Sequence, residues 1–169
     1  MSQHQAFQES QRFEKPAVDF ILIVILIVFG YVYFQQAILG EPVGSLPASN
    51  NGLIGGFITT LVALLILKSM RLKTKIDAEG IHYRVTPFYF SYRTIPWESV
   101  EEAYLRQYDA LKEYGGYGIR FGFSGKGRAY TFGGNYGLQI QYEGRKLLVG
   151  TQDANAMEAA LKRYQPSFN

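Results

Sequence analysis

Residues 20–39 read FILIVILIVFGYVYFQQAIL and residues 53–67 read LIGGFITTLVALLIL; neither run carries a charge. A helix rises about 1.5 Å per residue, so roughly 20 apolar residues cross a hydrocarbon core of about 30 Å. The first run meets that length, with Asp19 at its entrance and Tyr31, Tyr33, Gln35 and Gln36 at its far end, where amphipathic groups suit the headgroup layer. The second reaches it when Gly52 is included and Lys68 snorkels outward. Residues 40–51, GEPVGSLPASNN, are turn formers without helical periodicity. The reading is a transmembrane helical hairpin over 18–70, with spans 18–39 and 52–70.

The flanks orient this hairpin. Lys and Arg beside a span favour the cytoplasmic side. The connecting loop has only Glu41, whereas Arg12 and Lys15 precede the first span and Lys68, Arg71, Lys73 and Lys75 follow the second. Both termini are therefore expected in the cytoplasm, with the protein integral to the inner (cell) membrane. A cleaved signal peptide has a shorter apolar region nearer the terminus. Buried helices of a soluble protein usually show a polar face, and these runs have none. Gly52 and Gly56, Gly55 and Thr59, and Gly56 and Thr60 give small-xxx-small spacings that allow close backbone approach, to the first span near Gly30 or to another copy of the chain.

Outside the hairpin, residues 1–17 read as a polar, Gln-rich cytoplasmic tail and 166–169 as a short tail. Residues 71–165 suffice for one core. From Arg71 onward there are 14 Lys/Arg against 10 Asp/Glu. This mild basicity suits an anionic leaflet and falls short of the concentrated stripe that nucleic acid requires. The absence of cysteine excludes disulfides, zinc-thiolate sites and thiol catalysis.

The signals in this segment are those of strands. LKTKID alternates, Ala78-Glu79-Gly80 turns, and IHYRVTPF resumes. FYFSYRTI, 101–108, GYGIRFGF, RAYTFG, GLQIQY and KLLVGT follow, with Glu143-Gly144 as a tight hairpin signal. Asp153 or Asn155 then caps a helix whose Met157, Ala160, Leu161 and Tyr164 form one apolar stripe, closed by Pro166. About seven antiparallel strands in a partly open barrel, with one C-terminal helix, make an α+β, mainly-β domain.

Two spans, the hairpin at Ile76–Arg84, the Ile95-Pro96-Trp97-Glu98 segment and the passage from Gly150 into a capped helix ending at Tyr164 resemble the bacterial membrane-anchored PH-like (pleckstrin-homology-like) families. The resemblance covers residues 18–165 and implies a fold and a location rather than an activity. Inositide-binding relatives cluster cations around the first strand–strand loop, but here that loop is Asp77-Ala78-Glu79-Gly80, so specific inositide binding is not expected.

Residues 108–137, dense in Gly and Tyr, have two readings. The glycines serve turns and sheet curvature, or Tyr108, Lys112, Tyr114, Tyr117 and Arg120 form an interaction rim. No P-loop or dinucleotide fingerprint is present. Trp97 is either core or rim. His4 and His82 lack metal-ligand spacing, and Glu101 and Glu102 point to opposite faces of a strand, so no catalytic residues, cofactor or metal are expected. The function expected is a non-enzymatic interaction or scaffold module tethered to the membrane, with membrane lipid, a membrane-associated protein and a second copy of the chain as partners. The alternatives are a lipid-responsive or membrane-structural protein that binds anionic headgroups, and an assembly factor for a membrane complex.

Overall fold

The computed structural model describes residues 6–122 and 125–165. The chain forms two compact units, residues 14–68 and a second built from residues 1–13 together with 69–169.

The first unit is the helical hairpin. Helix α1 (Pro16–Tyr33) continues through a π-turn at Phe34–Ile38, and α2 spans Asn50–Ser69. At 23 and 20 residues both are long and apolar enough to cross a membrane. No residue of α1 is buried, and Leu53 alone is buried in α2. Pro16 starts α1 at its first turn, where the missing N–H has no partner to lose. The helices are tied at both ends. Gln36 Nε2 donates to Ala48 O at 2.6 Å and Asn50 Oδ1 at 2.8 Å near the loop, and Lys68 pairs with Asp19 at the other end. The Phe29 ring covers Gly56, where an added Cβ would lie 2.5 Å from it. The small residues thus serve close packing within the hairpin, and Gly55 faces open space.

The second unit holds nine strands in two sheets among the described residues. Strands β1 (Phe7–Arg12), β2 (Arg71–Ile76), β3 (Gly80–Thr86) and β4 (Arg93–Pro96) form an antiparallel sheet in that order. The other sheet has the order β5-β8-β9-β7-β6, from β5 (Val100–Gln107), β6 (Gly118–Phe121), β7 (Arg128–Thr131), β8 (Tyr136–Tyr142) and β9 (Arg145–Thr151). The β7–β9 pair is parallel. Helix α3 (Ala110–Tyr114) lies between β5 and β6, and α4 (Ala154–Tyr164) follows β9.

The alternation expected of LKTKID is present: Leu72, Thr74 and Ile76 are buried, with Arg71, Lys73 and Lys75 on the other face. The Glu143-Gly144 turn has both residues at positive φ, 47° and 68°, the geometry of a tight β-hairpin. Asp153 Oδ1 accepts from Ala156 N at 3.0 Å, so Asp153 caps α4. Met157, Ala160 and Leu161 are buried, and α4 packs on β1 and β2 of one sheet and β5 and β8 of the other. Burial of a Met or Leu side chain contributes about 1.5–3 kcal/mol, so this helix helps hold the two sheets together. Pro166 lies outside the described residues.

Three expectations are corrected. Residues 7–12 are a strand rather than part of a polar tail: β1 pairs with β2 from Phe7↔Ile76 to Arg12↔Arg71. Its sequence, FQESQR, has little apolar signal because its buried side chain is Gln11. The strand count is nine rather than about seven: each of the eight segments read as strands yields one, β2 to β9, and β1 adds the ninth. FYFSYRTI yields only the short strand Arg93–Pro96, and Tyr89 N instead closes a turn onto Val85 O at 2.8 Å.

Candidate functional site

Between the two sheets lies an open cleft of about 770 Å³. Tyr83 of β3 and Arg93 of β4 form one wall. Phe121 of β6, Arg128 of β7, Tyr142 of β8, and Arg145 and Lys146 of β9 form the other. No carboxylate lines it among the described residues, and none of its four cations forms an ion pair there.

The guanidiniums are positioned by aromatic rings. Arg93 lies over the Tyr89 ring at 4.2 Å and Arg128 over Phe121 at 5.0 Å. Such stacking holds the cation from one face. Tyr89 is itself fixed by a 3.0 Å hydroxyl–hydroxyl hydrogen bond to Tyr130, whose ring lies 5.2 Å from that of Tyr83. Burial pushes the Tyr83 phenol up, with Arg93 pulling the other way. Burial and the hydrogen bond shared with Tyr89 push Tyr130 up as well, with Arg128 pulling the other way. These phenols stay neutral at physiological pH, so the charge of the cleft is positive. Like charges gathered without counter-charge repel, and an anion entering the cleft relieves that repulsion.

The expected rim of Tyr108, Lys112, Tyr114, Tyr117 and Arg120 is split by the fold. Tyr108 and Tyr114 are buried with Ala110, Ala129 and Leu148, and Tyr117 packs against that cluster. Lys112 and Arg120 stay exposed. The reason is α3. Asp109 Oδ1 accepts from Leu111 N and Lys112 N, each at 3.0 Å, and Gly115 ends the helix at φ 68°. This single turn swings Tyr114 inward, where Arg106 donates to its hydroxyl at 3.0 Å. Trp97 is also core: its indole N–H donates to Asp77 O at 2.9 Å.

Of the flanking cations, Lys68 pairs with Asp19 and Lys75 with Asp77. Lys75 sits four residues along β2 from Arg71, roughly 13 Å at the rise of a strand, and so belongs to the far end of the sheet. Arg71 and Lys73 remain near the hairpin junction.

The fold also brings Asp77, Glu79 and His82 together, with donor atoms within 4.8 Å of one another. His82 bonds Asp77 Oδ1 through Nε2 at 2.9 Å and Thr94 Oγ1 through Nδ1 at 2.8 Å. Partial burial opposes ionisation of Asp77, but hydrogen bonds from Lys75, His82 and the Glu79 amide outweigh it and hold the carboxyl below the usual carboxylate range. Both Asp77 oxygens are engaged, and the group clasps the β2–β3 turn.

Sequence reasoning named none of the cleft residues as a site. Arg93, Arg128, Arg145 and Lys146 lie on three strands far apart in the chain, so no local motif announces them. No protein-family model, curated protein or solved structure matches this chain.

Proposed function

We propose that this protein is a membrane-anchored, non-enzymatic interaction module, a PH-like domain held at the cytoplasmic face, whose inter-sheet cleft receives an acidic segment of a membrane-associated protein. The observation that carries the reading is the cleft: four cations without an ion pair on two aromatic-lined walls, with no carboxylate or histidine in the lining among the described residues. Such a lining binds anionic groups and offers no acid–base pair.

Several features support the anchor. Two helices have the length and composition of spans. The β1–β2 pairing joins the segment before α1 to the segment after α2, which requires both on one side of the membrane if both helices cross it. Arg12, Lys15, Lys68, Arg71 and Lys73 flank the hairpin on that side, against Glu41 alone in the loop, which favours the cytoplasm. Two mostly antiparallel sheets with a C-terminal helix packed on both support the PH-like reading, and the parallel β7–β9 pair and the added β1 depart from it.

The test is crosslinking in intact membranes, followed by identification of neighbours of the wild-type chain and of an Arg93→Glu, Arg128→Glu, Arg145→Glu variant. One reproducible protein neighbour, lost in the variant and weakened by salt, supports the reading. A neighbour set unchanged by the charge reversals overturns the cleft as the binding site.

A further inference from the structure

We propose that the Pro87–Tyr92 loop is a third membrane contact, with Phe88, Phe90 and Tyr92 seated among lipid headgroups. Phe90 is 92 % exposed, Phe88 53 % and Tyr92 42 %. Among the other described residues of the β domain, the exposed large apolar residues are Tyr104, Leu111, Phe121 and Tyr136, each in a different part of the chain. Three exposed aromatics within five residues are a different feature, and exposed aromatic clusters mark contact surfaces.

The loop is a built projection. Tyr89 points inward, fixed by the backbone bond to Val85 and the hydroxyl contact with Tyr130. With Tyr89 half-buried against Tyr130, its neighbours Phe88 and Phe90 are exposed. Arg84 Nη1 donates to Phe90 O at 3.1 Å, and its guanidinium lies 5.1 Å from the centre of the Tyr92 ring.

Strand register and chain length identify what meets these rings. Thr86, the last residue before the loop, pairs with Arg71, and Arg71 pairs with Arg12. All three mark the end of the sheet at which the chain leaves for the helices. Arg71 is two residues beyond Ser69, the end of α2, a reach of about 7 Å. Thr86 lies about 5 Å from Arg71 across the strand pair. A loop starting there cannot be far from the headgroups if α2 spans the bilayer.

Charge agrees. Arg12, Arg71, Lys73 and Arg84 lie toward this end against Glu14, and Asp77 and Glu79 occupy the opposite turn with Lys75. Aromatic rings among cations are the composition of a membrane–water interface facing anionic lipid.

This inference rests on the spanning reading, and the test separates the two. The chain has no cysteine, so a single introduced one carries an environment-sensitive fluorophore. Full-length Ser91→Cys, Ala78→Cys and Ile25→Cys proteins are labelled and reconstituted in vesicles containing phosphatidylglycerol. Quenching by headgroup-level and deep-chain nitroxide lipids is compared with quenching by aqueous iodide. The Ser91 label, with Phe88 and Phe90 intact, should be blue-shifted, quenched several-fold more by headgroup nitroxide than the Ala78 label, and shielded from iodide. Adding Phe88→Asp and Phe90→Asp should return it to the Ala78 pattern.

A Ser91 label that matches Ala78 while Ile25 is quenched by deep nitroxide overturns the loop contact and leaves the spans intact. An Ile25 label that no lipid quencher reaches overturns the spanning reading. Shielding from iodide without nitroxide quenching assigns the loop to a second copy and overturns the lipid proposal. Nitroxide quenching that survives both aspartates overturns the role of the rings.

Discussion

The Thr151 hydroxyl donates to Glu9 Oε2 at 2.7 Å across 142 residues of chain. The other Glu9 oxygen accepts from Gln152 N at 2.8 Å, and two residues on, Gln11 Nε2 donates to Gly150 O at 2.7 Å in a buried setting. The strand that precedes the first helix is thus fastened to the passage from β9 into α4. The helical hairpin is an insertion within the β domain rather than an appendage before it.

Glu9→Ala should weaken this seam. It leaves the Thr151 hydroxyl and the Gln152 amide without their charged acceptor, at a cost of about 1–3 kcal/mol. Each kcal/mol lowers the melting temperature of a domain this size by roughly 4–8 °C. Thermal unfolding of the full chain in mild detergent measures it. A melting point unchanged by Glu9→Ala would mean that the seam contributes nothing.

A fragment beginning at Arg71 lacks β1 and leaves the β2 edge open. Unpaired edges recruit other chains, so residues 71–165 should aggregate or exchange amide protons quickly along β2. Joining residues 6–13 to residue 69 by a short Gly/Ser linker in place of the hairpin should restore a monomer with slow exchange in β2. Size-exclusion chromatography and hydrogen exchange report both outcomes, and a stable monomeric 71–165 fragment contradicts the prediction.

Gly127→Ala should be severely destabilising. The residue has φ 79°, and an added Cβ would lie 2.0 Å from the Lys146 carbonyl oxygen. Both the positive φ and the clash with backbone oppose any side chain, at about 1–3 kcal/mol for the conformation alone. Gly144→Ala is the comparison: it shares the positive φ, and nothing lies within 4 Å. It should cost clearly less in the same melting experiment.

Acid should loosen the α3 corner. Desolvation opposes ionisation of Glu113, but hydrogen bonds from Arg106, Lys126 and the Asp109 amide prevail and push its pKa down to about 2. A carboxyl depressed in the folded state contributes stability above its unfolded pKa, near 4.3, and loses it as the pH falls from there toward 2. The contribution is of order 1 kcal/mol, since Lys126 is solvent-screened. Glu113→Gln should lower stability at pH 7 and flatten the slope between pH 4.5 and 2. An unaltered slope would assign the acid sensitivity to other carboxylates.

What could be read along the chain was whatever depends on near neighbours. Uncharged runs of sufficient length define α1 and α2, and alternation defines β2 and β8. Asp153 with Met157, Ala160 and Leu161 defines α4. The short helix α3 had a readable signal as well, Asp109 before it and Gly115 after it, hidden by the surrounding Tyr and Gly. Its effect on Tyr108 and Tyr114 was not readable, because one turn decides which side of a sheet an aromatic ring faces.

The amino-acid sequence by itself determined the two apolar helices, most of the strands and the capped C-terminal helix, because each follows from spacing and composition within a dozen residues. Only the tertiary structure decided that residues 7–12 form a strand, that β7 runs parallel to β9, and that Arg93, Arg128, Arg145 and Lys146 share one cleft. Strand pairing is a contact between distant segments, and its stabilisation comes from the partner's backbone and the burial it completes rather than from the strand's own residues. FQESQR is a strand because β2 and the end of β9 are there to receive it.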